Sequence, residues 1–576
     1  MGLRPALLGY SAVLLAAVSA CSGLPARPLP GPAAVPGRSP AAAAAKPVVR
    51  SVRPGLPSAR CPSPAAGLGV SAGCLQPLPV GGRIRVGQSA GQPAEPPHGA
   101  PGPASQRGLR GSNGWRTGDV ARQGQVEGYP DPESVPPGRP IRLYLSARAK
   151  RVTVVVYRMG DYRGGWGHRV YLRKGVRTLP QPPAQLIAST RTVVAPWRPT
   201  LTVPTTGWVP GAYLAKVITP SGLHTSIPLV VRSTSVRGRV VLLAATQTWE
   251  AYNNWGGYSL YAGPLGYGDR SYEVSFDRPN PDAGGGDGRW AYDMPAMVQL
   301  AESLPIKLAY LADTDVQRYP HILAGATAVI VTAHAEYLSA VERARLAAAR
   351  NRGTNIFWAS ANSDFWRVRL HPGVNGTGPD RLMVGYKDAA LDPQAAADPR
   401  GATDEFRNPP DADPEQAITG ARFECYPVDA AYVVSDPSWW GYRGTGARLG
   451  STYPLVVGDE ADRAVPGPWT PDPLEILSYS PFNCEGVPDH STATYYTTPS
   501  GAGVIDTATE RWTCDLSPIC RDPVVPAVSR RFVRQVTTNV LLQFAKGPVG
   551  LRYPARNTIG DYPLDTGFPG TGGSEP

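Results

Sequence analysis

The stretch Val240-Val-Leu-Leu-Ala-Ala245-Thr-Gln-Thr248-Trp-Glu-Ala-Tyr252-Asn253-Asn-Trp255-Gly256-Gly257 decides the reading of the fold. Its first six residues are apolar without alternation, which describes a strand buried on both faces, as inside a parallel sheet. The strand runs directly into a polar, aromatic loop. Working outward, Leu308–Ala312, Ala328–Ala333 and Asn355–Ala359 repeat the apolar-run pattern. Helical spacing appears between them, with Met294, Met297, Ala301 and Leu304 on one stripe. Ser339-x-x-Glu342 is a capping box. Phe532, Val533, Val536, Val540 and Phe544 mark a last helix that stops at Lys546-Gly547. Alternating strands and helices predict a doubly wound α/β domain over 238–550 with a mostly parallel sheet, glutamine-amidotransferase-like or flavodoxin-like, followed by a flexible tail at 551–576.

Upstream of that domain the period changes to two. Val152, Val154 and Val156 share a face, and turns rich in Pro, Gly and Asp separate short Val/Leu/Ile/Tyr-rich runs. This predicts an immunoglobulin-like β-sandwich over 130–236. Earlier still, 22–125 has Pro, Gly, Ala, Ser and Arg without hydrophobic period and reads as a disordered tether. Residues 1–21 have the anatomy of an export signal: Arg4, an apolar run from Ala6, then Val18-Ser19-Ala20-Cys21. Small residues before a Cys form a lipobox, so Cys21 is the expected lipidation site. The expected location is the outer side of the cytoplasmic membrane, with secretion as the alternative.

Charge supports this division. The chain carries 57 Lys+Arg against 45 Asp+Glu, a net +12. Between Cys21 and Gln125 stand 12 Arg/Lys against Glu95 and Asp119, a local +10; Arg4 adds one, so the remainder carries about +1. The folded part is not a basic protein, and nucleic acid is not an expected partner. Six of the 7 Cys remain once Cys21 is set aside. An even set in an exported chain predicts disulfides, paired by proximity as Cys61–Cys74, Cys425–Cys484 and Cys514–Cys520.

Ligands of open α/β sheets bind beyond the carboxyl ends of the strands. Tyr252, Tyr292, His334, Glu336 and Asn362 fall there by topology. Each has a plain structural alternative: a loop plug, a helix staple, a turn histidine or a first-turn carboxylate. Gly87-Gln-Ser89-Ala-Gly91 lacks the strand and helix that a nucleophile elbow requires, and there is no H-E-x-x-H.

Several blocks resemble the large (beta) subunit family of N,N-dimethylformamidase. They include Ala251-Tyr-Asn-Asn-Trp-Gly-Gly257, Val274-Ser-Phe-Asp-Arg-Pro279, His334-Ala-Glu-Tyr337, Phe365-Trp-Arg-Val-Arg369 and Gly458-Asp-Glu460. The resemblance spans about 140 to 545. It implies a mononuclear ferric iron held by Tyr252, Tyr292 and Glu336, with His334 and Glu460 in catalysis. Glu475 and Glu485 are rivals of Glu460 for the downstream role. Phenolate and carboxylate are hard oxygen donors that suit such an ion. Asn253 and Asn362 are expected at the substrate or behind the ligands. The implied reaction is hydrolysis of a small amide. The family's enzyme also has a small subunit, which no part of this chain resembles; homo-oligomerisation stays open. The competing reading is a non-catalytic surface lipoprotein that binds wall glycan or a protein through Trp255, Trp439 and Trp440.

Overall fold

A computed structural model describes Gln106 and residues 108–280, 288–332, 334–374, 376–518 and 524–564. Cys21, the export signal and most of the tether lie outside the described residues, as do Cys61, Cys74 and Cys520 and the pairings that need them. Cys425 and Cys484 form the expected disulfide.

The segment Val240–Ala244 is a fully buried strand. It lies in a seven-stranded sheet with the spatial order Leu308–Ala312, Val240–Ala244, Ala328–Val331, Asn355–Trp358, Gly503–Asp506, Thr494–Thr497, Leu474–Ile476. The first five strands run parallel and the last two pair antiparallel. Alternation along the first strand explains its unbroken hydrophobicity. Val240, Leu242 and Ala244 join one apolar cluster with Met297, Ala301 and the helix Ala527–Phe544. Val241 and Leu243 face another, with Leu346 and Ala349 of the helix Ala340–Arg350.

The doubly wound α/β expectation is nevertheless overturned. Helices are few, and the strands are spread over seven sheets among the described residues, several of them antiparallel. The reason lies in segments without a clear period. Arg422–Val433 and Thr452–Arg463 pair antiparallel through three register irregularities. Glu273–Ser275, Leu382–Val384, Trp366–His371 and Tyr337–Ser339 build another, mixed sheet. Bulges and short strands break the period-two signal that a sequence pattern needs.

Ahead of the large sheet, a three-stranded and a five-stranded sheet enclose an apolar core that includes Leu143, Val154, Tyr213 and Leu229. The strand Gly211–Ile218 is buried on both faces: Tyr213, Ala215 and Val217 face this core, while Ala212 and Leu214 join the cluster of the large sheet. A buried ion pair, Arg158 Nη2 to Glu302 Oε1 at 2.5 Å, ties this region to the helix Pro295–Ser303. Both chain ends pack within their described parts. Trp115, in the segment expected as tether, sits edge-on to Trp290, and Arg556, in the expected tail, binds Asp436 and Glu475.

Candidate active site

The strand Val240–Ala244 leads into a seven-residue helix, Thr246–Tyr252. A helix this short does not hold itself together, and its own N-cap Ala245 offers no side-chain acceptor. Asp313 supplies one, accepting from the Gln247 N–H at 2.9 Å. Thr248 then accepts from the Glu336 N–H at 3.1 Å, and the Glu336 carbonyl accepts from the Phe365 and Trp366 N–H groups at 3.0 and 2.8 Å. The Glu336 backbone is therefore fixed from both sides.

Its carboxylate is fixed as well. The Tyr252 hydroxyl donates to Oε2 at 2.8 Å, and His334 Nε2 stands 3.1 Å from the same oxygen and 3.4 Å from the Tyr252 hydroxyl. The other oxygen, Oε1, accepts from the Tyr261 hydroxyl and from Trp366 Nε1 at 2.9 Å. Tyr261 stacks on Tyr252 with ring centroids 4.4 Å apart, and Lys387 Nζ lies 3.4 Å from the Tyr261 centroid. On its far side His334 Nδ1 meets the Ala361 carbonyl at 3.3 Å and Glu460 Oε2 at 3.1 Å. The Glu460 contact has ion-pair distance without hydrogen-bond alignment, and that oxygen has no hydrogen-bond partner.

The electrostatics follow. Burial lowers the affinity of His334 for a proton, yet Glu460 and then Glu336 outweigh it and raise its pKa. Burial works to raise Glu336, but the His334 hydrogen bond and charge, with Lys387 and Tyr261, bring it below the ordinary value. Glu460 is pushed up to about 7 by burial and by the Glu336 charge, against the pull of His334 and Arg289. Burial and the two carboxylates push Tyr252 well above an ordinary phenol, so without a cation it stays protonated. A bound cation inverts that preference.

The structure thus brings Tyr252, His334, Glu336 and Glu460 together, with Asn362 beside Glu460. Asn362 takes a positive φ of 47°, its N–H is spent on Asp462 and its Oδ1 has no partner. Asn253 is not turned to this cluster: its amide binds Glu250 and the Pro279 carbonyl and receives the Trp255 N–H. Tyr292 is 54 % exposed on the short helix Trp290–Asp293. Of the Glu460 rivals, Glu475 is taken by Arg556, and Glu485 is in an exposed position with positive φ.

Tyr261, Trp366 and Lys387 were not singled out from sequence. Glu510 is a further addition: with His334 and Glu460 it offers donor atoms within 4.8 Å of one another, while it also pairs with Arg289. The donor chemistry fits a hard cation. Two ligand oxygens of one first-row ion stand about 3 Å apart when each bond is about 2 Å, and the Tyr252 and Glu336 oxygens are 2.8 Å apart.

A buried carboxylate and imidazole with a half-buried phenol, at the carboxyl end of parallel strands, form a metal-compatible donor set. The model of the N,N-dimethylformamidase beta subunit-like, C-terminal family matches residues 153–523, and the chain belongs to that family. The membership carries an amidohydrolase type of function and a metal-dependent centre. No curated protein matches the chain. Among solved structures, a Paenibacillus sp. cycloisomaltooligosaccharide glucanotransferase complexed with cycloisomaltoheptaose aligns at 15 % identity and a TM-score of 0.12, over 25 % of this chain and 18 % of that one. This chain therefore spans under a fifth of that protein's length, and the likeness carries no argument.

Proposed function

We propose that the protein hydrolyses a small amide with the help of a ferric ion held by Tyr252, Tyr292 and Glu336. The observation that carries this reading is the half-buried contact of Tyr252 with Glu336 Oε2, inside the segment matched by the family. Tyr292 enters through the resemblance alone. When bound, the ion supplies Lewis acidity to an amide carbonyl and acidifies water.

The protein's own groups account for the rest of the reaction. Tyr261 and Trp366 occupy Oε1 of Glu336 and so leave Oε2 for the centre. His334 bridges Glu336 and Glu460, and can hold a proton between two carboxylates without leaving either unpaired. Glu460, raised to about 7, both accepts and returns a proton near neutrality, as a general base and then acid toward the leaving amine must. The Asn362 amide, beside Glu460, orients the substrate. Export, with anchoring through Cys21, belongs to the same proposal; among the described residues no helix is long and apolar enough to cross a membrane. Trp255, Trp439 and Trp440, which motivated the non-catalytic binding reading, are buried.

The test is metal analysis of the purified chain after iron-supplemented expression, with visible spectroscopy and assay of amine release from small amides. Near-stoichiometric iron, a tyrosinate-to-iron absorption band and hydrolysis are expected. A colourless, iron-free protein without amidase activity overturns the proposal.

A further inference from the structure

The part of the chain after Gln125 is nearly neutral, but its charge is not evenly spread. The antiparallel hairpin Arg151–Tyr162 and Gly165–Arg177, with the turn before it, exposes Arg148, Lys150, Arg151, Arg173, Lys174 and Arg177. Register places Arg151 opposite Arg177 and Val154 opposite Arg173, so the six gather at one end of the hairpin. The nearest carboxylate in sequence, Asp161, is at the other end and accepts from Gln299. Among the described residues none of the six forms an ion pair. Arg148 and Arg151 donate instead to the Gly124 and Gly175 carbonyls. Gly165–Arg177 is also the edge strand of its sheet, paired with Arg151–Tyr162; Ser112 bridges its start at Gly167, away from the six cations.

Charges on an edge strand discourage strand addition, and that is the plain reading of one or two of them. Six cations without an ion-pair partner among the described residues exceed that need and focus a positive potential. Two leucines stand among them, Leu172 at 41 % and Leu179 at 72 % exposure. Cations beside exposed aliphatic side chains suit an anionic lipid surface, where the cations meet headgroups and the leucines enter the acyl boundary. A soluble polyanion uses the cations only.

We propose that this end of the hairpin docks the folded domain onto a membrane surface bearing anionic phospholipid. The inference does not depend on the amide reading. Its test uses the full chain with Cys21→Ser, so that no acyl group is added, and compares it with the same chain carrying R173Q, K174Q and R177Q. Every protein then has the same basic N-terminal segment, and the difference reports the hairpin.

Binding is titrated against vesicles of phosphatidylglycerol in phosphatidylcholine and against phosphatidylcholine alone. Each surface cation near an anionic leaflet contributes about fivefold in partitioning, so the triple variant is expected to bind about a hundredfold more weakly to the anionic vesicles. Leu172→Ser with Leu179→Ser is expected to weaken the same binding while sparing retention by soluble polyphosphate. Unchanged binding of the triple variant overturns the proposal, and so does equal wild-type binding to both vesicle types. A leucine variant that binds vesicles like wild type, with polyphosphate competing, assigns the patch to a polymer and also overturns it.

Discussion

The helix Thr246–Tyr252 has a buried acid cluster at each end, and the two are prepared in opposite ways. At its start, Asp313 and Glu342 are held by neutral groups: Thr246, Gln247, Ser339 and backbone N–H. Burial raises both; the Asp313 charge raises Glu342 further, and the Glu133 charge raises Asp313 further. At its end, Glu336 is equally buried but faces His334, Lys387 and two phenols, and its pKa falls. Burial alone therefore does not keep a carboxylate ionised; a charged partner of opposite sign does. The first cluster braces the helix that carries Tyr252, and the second holds negative charge ready for a cation.

The largest expected difference comes from neutralising one acid in each cluster. Glu336→Gln is expected to abolish iron binding and to lower kcat/KM by about 10³ or more, because it removes a ligand charge. Glu342→Gln keeps the capping geometry, since Gln serves in a capping box, and should retain near-wild-type activity. Equal losses in both variants would erase the contrast. Within the Glu336 cluster, His334→Gln or Glu460→Gln is expected to cost about 10² to 10⁴ in kcat, the usual range for a general acid or base, with iron content retained. Metal analysis beside steady-state kinetics checks the separation.

A structural counterpart sharpens the same point. Arg158 and Glu302 are a buried pair outside the Glu336 cluster, and Glu302 also accepts from the Tyr310 hydroxyl. Removing one partner leaves an uncompensated buried charge, so Arg158→Ala is expected to cost about 3–5 kcal/mol in chemical denaturation. Tyr261→Phe is a milder change. It frees Glu336 Oε1 from one donor and should weaken iron binding about 10- to 100-fold, the usual cost of losing a partner behind a ligand. Tyr252→Phe should weaken and shift the visible band, since one phenolate remains. If Tyr292→Phe leaves the band unchanged and Tyr261→Phe weakens it as Tyr252→Phe does, the second phenol ligand is Tyr261.

What was legible in the sequence follows from where periodicity is strong. Val240–Ala244 and Ile356–Trp358 are unbroken apolar runs, and topology places the residues at their ends. His334, Glu336 and Tyr252 meet because parallel strands all present their carboxyl ends to one rim. Tyr261 and Lys387 have no such signal. Tyr261 follows Ser259-Leu260 in a turn-rich segment, and Lys387 follows the three-residue strand Leu382–Val384 at a positive φ of 59°. Their approach is set by tertiary contacts, which spacing does not encode. The all-over fold class failed for a related reason. Four parallel neighbours suggest a continuing parallel sheet, but Thr494–Thr497 and Gly503–Asp506 are joined by a tight connection that permits only an antiparallel pair. The basic hairpin was hidden by arithmetic, since acids elsewhere cancel it in the sum.

The smallest expected effect tests the first cluster in isolation. Asp313 and Glu342 have ordinary values of 3.8 and 4.5, and both are raised in the folded chain. The folded state then binds more protons than the unfolded state over the interval above those values. Stability depends on pH as the difference in bound protons, unfolded minus folded, and that difference is negative here. The contribution of the pair is therefore fully present below about pH 4 and declines as pH rises toward and past neutrality. Glu342→Gln cannot ionise and loses its share of the decline. Urea denaturation of both proteins across this range should show the variant gaining on the wild type as pH increases. A variant that instead loses ground with rising pH would mean that Glu342 is ionised in the folded chain, and the two ends of the helix would no longer differ in kind.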